Sequence, residues 1–229
     1  MKKTIYRGIL LAGCVMLAAC SSPPTRYYSL AENVMADGAV QGAANATAPA
    51  AAAPAGLPAA TAMLYVELAP VAMPERFARP QMVVRQKGSS GPEVDVLEQH
   101  RWASSFENEL RDALSSGVAA RLGAVDATRA PRPRGQSALR ISVQMLQFDA
   151  SPGRSVDAVF SWTLRRLDDE AGASCRVALT EPVGGDVDAI AAGARRVTSR
   201  LSDAIAASAR TLQAGRGGAS CSAMALNAP

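Results

Sequence analysis

The chain has 229 residues, with 24 lysines and arginines against 20 acids, a formal charge of +4, and 48% apolar residues. That length suits one domain with a substantial core better than two. Lys2, Lys3 and Arg7 precede the first apolar run, Lys87 is the lysine that remains beyond it, and the arginines are scattered, so no basic stripe exists to neutralise a phosphate backbone and nucleic acid is disfavoured as a partner.

Gly8 to Ala19 is an unbroken apolar or small run behind those three cations, the layout of a secretory signal peptide. It is shorter than the roughly 20 apolar residues a membrane-spanning helix needs. It ends at Leu17-Ala18-Ala19-Cys20, the pattern of a bacterial lipobox, followed by polar Ser21-Ser22-Pro23-Pro24. The expectation is that residues 1–19 are removed and that Cys20 is acylated as the first residue of the mature chain. Each buried methylene adds about 0.8 kcal/mol, so two or more acyl chains hold a protein firmly on a membrane. Without the three signal cations the chain is close to neutral.

Residues 31–62 are alanine, glycine and proline with few large side chains, and Pro49, Pro54 and Pro58 interrupt any alanine helix. This segment is expected to be disordered. Met63 to Leu68 and Gln81 to Gln86 read as strands separated by proline turns, and Val94-Asp95-Val96 as a short strand after a turn at Lys87 to Pro92. From Arg101 to Leu122, Trp102, Phe106, Leu110, Leu114, Val118 and Leu122 recur every four residues, which predicts an amphipathic helix ended by Gly123.

Leu139, Ile141, Val143 and Met145 alternate with polar residues, then Leu146 and Phe148 switch phase, as a bulge or a strand buried on both faces requires. Val156 to Leu164 alternates without a slip. The acidic stretch Asp168-Asp169-Glu170 forms a turn, and Cys175, Val177 and Leu179 continue the antiparallel meander. Val187, Ile190, Ala194, Val197, Leu201, Ala204, Ile205 and Leu212 line one face of a last helix, with Gly184-Gly185-Asp186 at its N-cap. The predicted fold is an α/β two-layer sandwich, a mostly antiparallel or mixed sheet covered by two long helices.

Positive signs of catalysis are missing from this pattern. His100 is the one histidine, read as a solvated residue in the entry to the helix, and Ser89 and Ser90 sit in a turn without a strand-to-helix elbow. Asp168 to Glu170 lacks the glycine-punctuated ligand loop of a calcium site, and Gly184-Gly185 lacks the lysine of a phosphate loop. No metal, cofactor or catalytic residue is assigned, and an enzyme is not expected. Once Cys14 leaves and Cys20 is acylated, Cys175 and Cys221 are the free thiols in an oxidising compartment, a candidate disulfide pinning the 214–229 tail to the sheet.

Three stretches together resemble a known family. These are Thr25-Arg26-Tyr27-Tyr28-Ser29-Leu30 after the lipid cysteine, Met63 to Pro74, and Arg101-Trp102-Ala103-Ser104-Ser105-Phe106 leading into Leu110, Leu114 and Leu122. In this order they are similar to the PqiC and YmbA family of intermembrane-transport lipoproteins, the auxiliary lipoprotein component of ABC-type transport systems. The 31–62 stretch and the cysteine-bearing tail depart from its pattern. The resemblance implies that Tyr27 to Leu30 is the first strand, that residues 20–26 are a lipidated N-terminus and short tether, and that 27–213 is one domain. It further implies a non-catalytic accessory that docks a periplasmic MCE-domain transport protein, while homo-oligomerisation stays open. Ser21 in place of aspartate after Cys20 points to the periplasmic face of the outer membrane. The competing expectation is a pilotin-like assembly lipoprotein without a transport role.

Overall fold

The computed structural model describes residues 23–32, 63–86, 88, 91–169 and 171–215. The signal peptide, Cys20, Ser89, Ser90, Glu170, Cys221 and most of the alanine/proline stretch lie outside the described residues. In chain order the elements are β1 (Arg26–Tyr28), β2 (Tyr65–Leu68), a 3-10 turn at Glu75–Phe77, β3 (Gln81–Arg85), β4 (Val94–Trp102), α1 (Phe106–Leu122), β5 (Val125–Asp126), β6 (Ala138–Ser151), β7 (Ser155–Arg166), β8 (Gly172–Pro182) and α2 (Val187–Gln213).

The strands form two mixed sheets packed against the two helices. The larger has the order β5-β2-β6-β7-β8, antiparallel across β6, β7 and β8 and parallel where β2 joins β5 and β6. Period-two alternation builds it: Leu139, Ile141, Val143 and Met145 face Trp162, Leu164 and Phe160 on the buried side, while Arg140, Ser142 and Gln144 face water. The phase switch after Met145 is a β-bulge. The register with β7 shifts between Met145 and Gln147, which turns Leu146 outward and restores Phe148 and Ala150 to the core.

The second sheet, β1-β4-β3, is where the structure departs from the sequence-based expectation of one sheet. Arg101 and Trp102 were expected inside a helix but end β4, and α1 begins at Phe106. The helical spacing from Trp102 is produced differently: Trp102 and Phe106 stack tilted at 5.1 Å between centroids across the strand-to-helix corner. Ser105 caps that corner, its side chain accepting from the Asn108 N–H. Phe106 also meets Phe148 at 5.0 Å, and Phe77 meets Phe148 at 5.8 Å, so this aromatic seam joins the small sheet to the large one.

Both helices lie on the buried face of the large sheet and against each other. Gly117 allows their approach, since a Cβ there would stand 2.8 Å from Ser202 Oγ. Gly193 does the same for α2 against the sheet, its position closed off by Val183 and Val156 side chains. Gly123 terminates α1 in the left-handed conformation, φ 60°, and Asp186 caps α2 by accepting from the Ala189 N–H at 2.6 Å. The opposite face of the large sheet is uncovered among the described residues.

Candidate functional site

The polar cluster that gathers the most elements lies where the described chain begins. Parallel pairing sets Arg26 beside His100, Tyr27 beside Arg101 and Tyr28 beside Trp102, and the Tyr28 carbonyl accepts from the Ala103 N–H at 2.7 Å. β1 is therefore an edge strand, and its side chains reach past β4 to the first turn of α2. Tyr28 Oη donates to Asp188 Oδ1 at 2.7 Å, and the Arg26 guanidinium lies 3.3 Å from the same carboxylate.

His100, expected to be solvated in a helix entry, instead sits on β4 with its ring stacked on Tyr28, 5.9 Å between centroids, and Nδ1 2.9 Å from Tyr28 Oη. The hydrogen inventory fixes the direction of this contact. Tyr28 has one hydrogen and gives it to Asp188, so the His100 Nδ1–H donates to the phenolic oxygen. Burial, with the hydrogen bond to Asp188, holds the Tyr28 hydroxyl above its ordinary pKa. That hydrogen bond, helped by Arg26 and His100, holds the Asp188 carboxyl below the usual carboxylate range.

Four further contacts continue along the chain. Thr25 Oγ1 donates to Gln99 at 3.0 Å; Ser29 Oγ and the Leu30 N–H both reach Glu109 Oε2; and Glu32 pairs with Arg121 at 3.3 Å. Leu30 is fully buried, the one core side chain that residues 23–32 supply. Burying a leucine contributes roughly 1.5–3 kcal/mol, whereas the Arg26–Asp188 pair, with both side chains about 60% exposed, adds little. The segment is a clasp with one apolar peg and several polar catches.

The start of the 31–62 stretch accordingly differs from the disordered expectation, because Glu32 is held by Arg121, which also bonds Ser199 on α2. The Glu32 carboxyl lies below its ordinary pKa: burial opposes this, and hydrogen bonds from Ser199 and Arg121 outweigh it. Sequence reasoning took Tyr27 and Tyr28 only as part of a family-like opening and did not join them to His100 and Asp188. No periodicity links positions 72 and 160 residues apart, and only the parallel β1–β4 pairing brings them together.

The other candidates fall as follows. Cys20 and Cys221 lie outside the described residues. Cys175 is on the inner face of β8, 5% exposed, with Sγ 3.5 Å from Ser208 Oγ on α2; it is disulfide-bonded, and no other described residue is a cysteine. Asp169 accepts from Arg166 and from the Ala171 N–H, which makes the acidic stretch a turn closed by its own ion pair. Among the described residues no group of three His, Cys, Asp or Glu side chains is placed to hold a metal, and no helix is long and apolar enough to cross a membrane.

Comparison with solved structures finds the same fold in a crystal structure of an uncharacterised protein, with a TM-score of 0.53 and 20% identity over 63% of this chain and 91% of that one. A crystal structure of a protein from Xanthomonas campestris matches with a TM-score of 0.49 and 18% identity over 67% of this chain and 85% of that one. No curated protein matches. A family model described as ABC-type transport auxiliary lipoprotein component matches residues 45–206, from ahead of β2 to well into α2. The chain belongs to the ABC-type transport auxiliary lipoprotein component family.

Proposed function

We propose that this protein is the lipid-anchored accessory subunit of an ABC/MCE-type intermembrane lipid transport system, held by acylated Cys20 on the periplasmic face of the outer membrane, where it docks a periplasmic MCE-domain partner and supports outer-membrane integrity. The observation that carries the reading is the family match across residues 45–206. Two features of the chain support the finer parts. A lipobox-like Leu17-Ala18-Ala19-Cys20 stands six residues ahead of β1, so the anchor and the clasp adjoin. Serine at 21 favours the outer over the inner membrane.

The physical role of the anchor is to confine encounter. A domain held in a thin layer meets a membrane-bridging partner at a raised effective concentration without needing any additional contact. The test is a deletion strain complemented with wild type or Cys20→Ala, followed by fractionation, crosslinking to an MCE-domain protein and measurement of outer-membrane permeability. Wild type is expected in the outer-membrane fraction with that partner, and Cys20→Ala in the soluble periplasm with the barrier defect unrepaired. Recovery of Cys20→Ala in membranes with a normal barrier refutes the anchoring. An intact anchor whose crosslinks lead only to secretion or pilus components refutes the transport role.

A further inference from the structure

Of the four strands at the edges of the two sheets, β5, β1 and β3 have two, three and five residues, and β8 has eleven. Natural sheets blunt a long edge with bulges, prolines or charges, because its free N–H and C=O groups are a template for another strand. The pairing of β8 with β7 runs from Gly172 to Pro182 without a bulge. Along Gly172 to Thr180 there is no proline, and Arg176 is the one charge.

Two hydrogen bonds at the ends of the β7–β8 pair fix which backbone groups face outward. The Arg166 N–H donates to the Ala171 C=O at 2.8 Å, and the Val183 N–H donates to the Arg154 C=O at 3.1 Å. Hydrogen-bonded and open pairs alternate along an antiparallel ladder, so Ala173, Cys175, Val177 and Leu179 turn their backbone groups to β7. Gly172, Ser174, Arg176, Ala178 and Thr180 turn theirs to the edge. At the far end α2 takes up two carbonyls: Arg200 donates to the Thr180 C=O at 2.9 Å and Arg196 to the Pro182 C=O at 3.1 Å. From Gly172 to Ala178 the outward N–H and C=O groups have no partner among the described residues. The disulfide of Cys175 leaves from the buried face and uses none of them.

We propose that the β8 edge, from Gly172 to Thr180, takes up an extended segment of a partner protein as an added strand, with an acidic residue of that segment set against Arg176. The edge N–H and C=O groups supply the binding, as they do wherever a peptide extends a sheet. Arg176 supplies the selection. It is exposed, lies opposite Ser161 on β7, and makes no ion pair among the described residues, so an opposite charge on the next strand is its natural cross-strand partner. A second copy of this chain fits worse. Two β8 strands related by a two-fold axis through the middle of the free stretch bring Arg176 opposite its own symmetry mate, and like charges directly opposite destabilise a ladder.

The probe is a blocked heptapeptide of alternating threonine and valine with a central glutamate, titrated into the full-length protein in detergent and followed by amide hydrogen exchange. Slowed exchange at Ser174, Arg176 and Ala178, with Cys175 and Val177 unchanged, is the expected result, because only the outward amides gain an acceptor. N-methylation of alternate peptide amides is expected to abolish binding, and lysine in place of the glutamate to weaken it roughly five-fold. Arg176→Glu should reverse that preference. In Ala178→Pro the lost N–H is an outward one, so no bond to β7 is removed, and the variant is expected to melt near wild type and lose the peptide.

If Ala178→Pro does not fold, the charge reversal in Arg176→Glu decides alone. No binding at millimolar peptide overturns the proposal, as does binding that protects no β8 amide, survives N-methylation or ignores the charge at position 176. Sedimentation that finds the protein alone dimeric, with the dimer broken by Arg176→Glu or Ala178→Pro, gives the edge to a second copy and also overturns it. None of these readouts depends on the anchor or on the transport role.

Discussion

At the scale of single residues, Tyr28 makes a prediction with two independent readouts. Tyr28→Phe keeps the ring stacked on His100 but removes the hydroxyl that joins His100 to Asp188. Its hydrogen bond to Asp188 lies in solvent, so screening leaves it a modest share of what holds β1 in place. The Ala103 amide is therefore expected to exchange a few-fold faster, with global melting shifted by no more than a few degrees. Alkali should mimic the substitution. Because the Tyr28 pKa is raised on folding, its contribution is fully present below about pH 10 and is lost as pH rises through the folded value. Acid acts elsewhere. Glu32 and Asp126 titrate below their ordinary values in the fold; for Asp126, burial opposes the shift and hydrogen bonds from Ser115 and Thr128 outweigh it. Their stabilisation is present above about pH 4.5 and fades as pH falls through the folded values. Stability measured by urea titration should decline below that pH, and less so in Glu32→Gln. Very little of this chemistry was legible in the sequence. Tyr28, His100 and Asp188 carry no mutual spacing, and their meeting depends on a parallel strand pair that no local pattern encodes.

At the scale of elements, the outcome divides by how each segment meets the core. The β6–β7–β8 meander and α2 were legible because each presents one buried face over many residues, so the periods of 2 and 3.6 had room to declare themselves. Even the Met145 to Phe148 phase switch was readable, as either a bulge or a strand buried on both faces, because the alternation on both sides of it is long, and the register shift makes it the bulge. β4 misled for a definite reason. Trp102 and Phe106 are four apart and both buried, which satisfies a helical repeat, but the chain turns between them and Ser105 caps the helix. β1 and β5, with three and two residues, are too short to show a period. Close approach between elements also escapes the hydrophobic pattern, and Gly193 exemplifies it. A mid-helix glycine costs about 1 kcal/mol relative to alanine, so a substitution that merely improved propensity should stabilise α2. Here the space for a side chain is already taken by Val183 and Val156. Gly193→Val is expected to destabilise the domain by about 1–3 kcal/mol, since overpacking outweighs propensity, and a lowered urea midpoint with unchanged slope is the measurement. The same substitution at exposed Arg195 should change stability by no more than about 0.5 kcal/mol.

At the scale of the whole molecule, the two helices cover one face of the large sheet, and its last strand meets α2 along a packed seam. Cys175 lies in that seam, beside Ser208. Its disulfide partner lies outside the described residues, and the cysteines there are Cys14, Cys20 and Cys221. Cys14 belongs to the segment expected to be cleaved and Cys20 is the proposed acylation site, so Cys221 is the predicted partner. A bridge between positions 175 and 221 closes a loop that contains the whole of α2. Chain-entropy arguments assign such a loop about 4 kcal/mol of stabilisation, which for a domain of this size is of the order of 10 °C in melting temperature. Peptide mapping of the protein isolated from the periplasm under non-reducing conditions is expected to yield a Cys175–Cys221 cross-linked peptide, and Cys221→Ser to melt lower by about that amount. Because Cys175 is only 5% exposed, the Cys221→Ser protein should also resist alkylation until it unfolds. A Cys221→Ser variant that melts with wild type, or a wild-type protein whose Cys175 and Cys221 are both recovered as free thiols, shows that α2 is held to the sheet by packing alone.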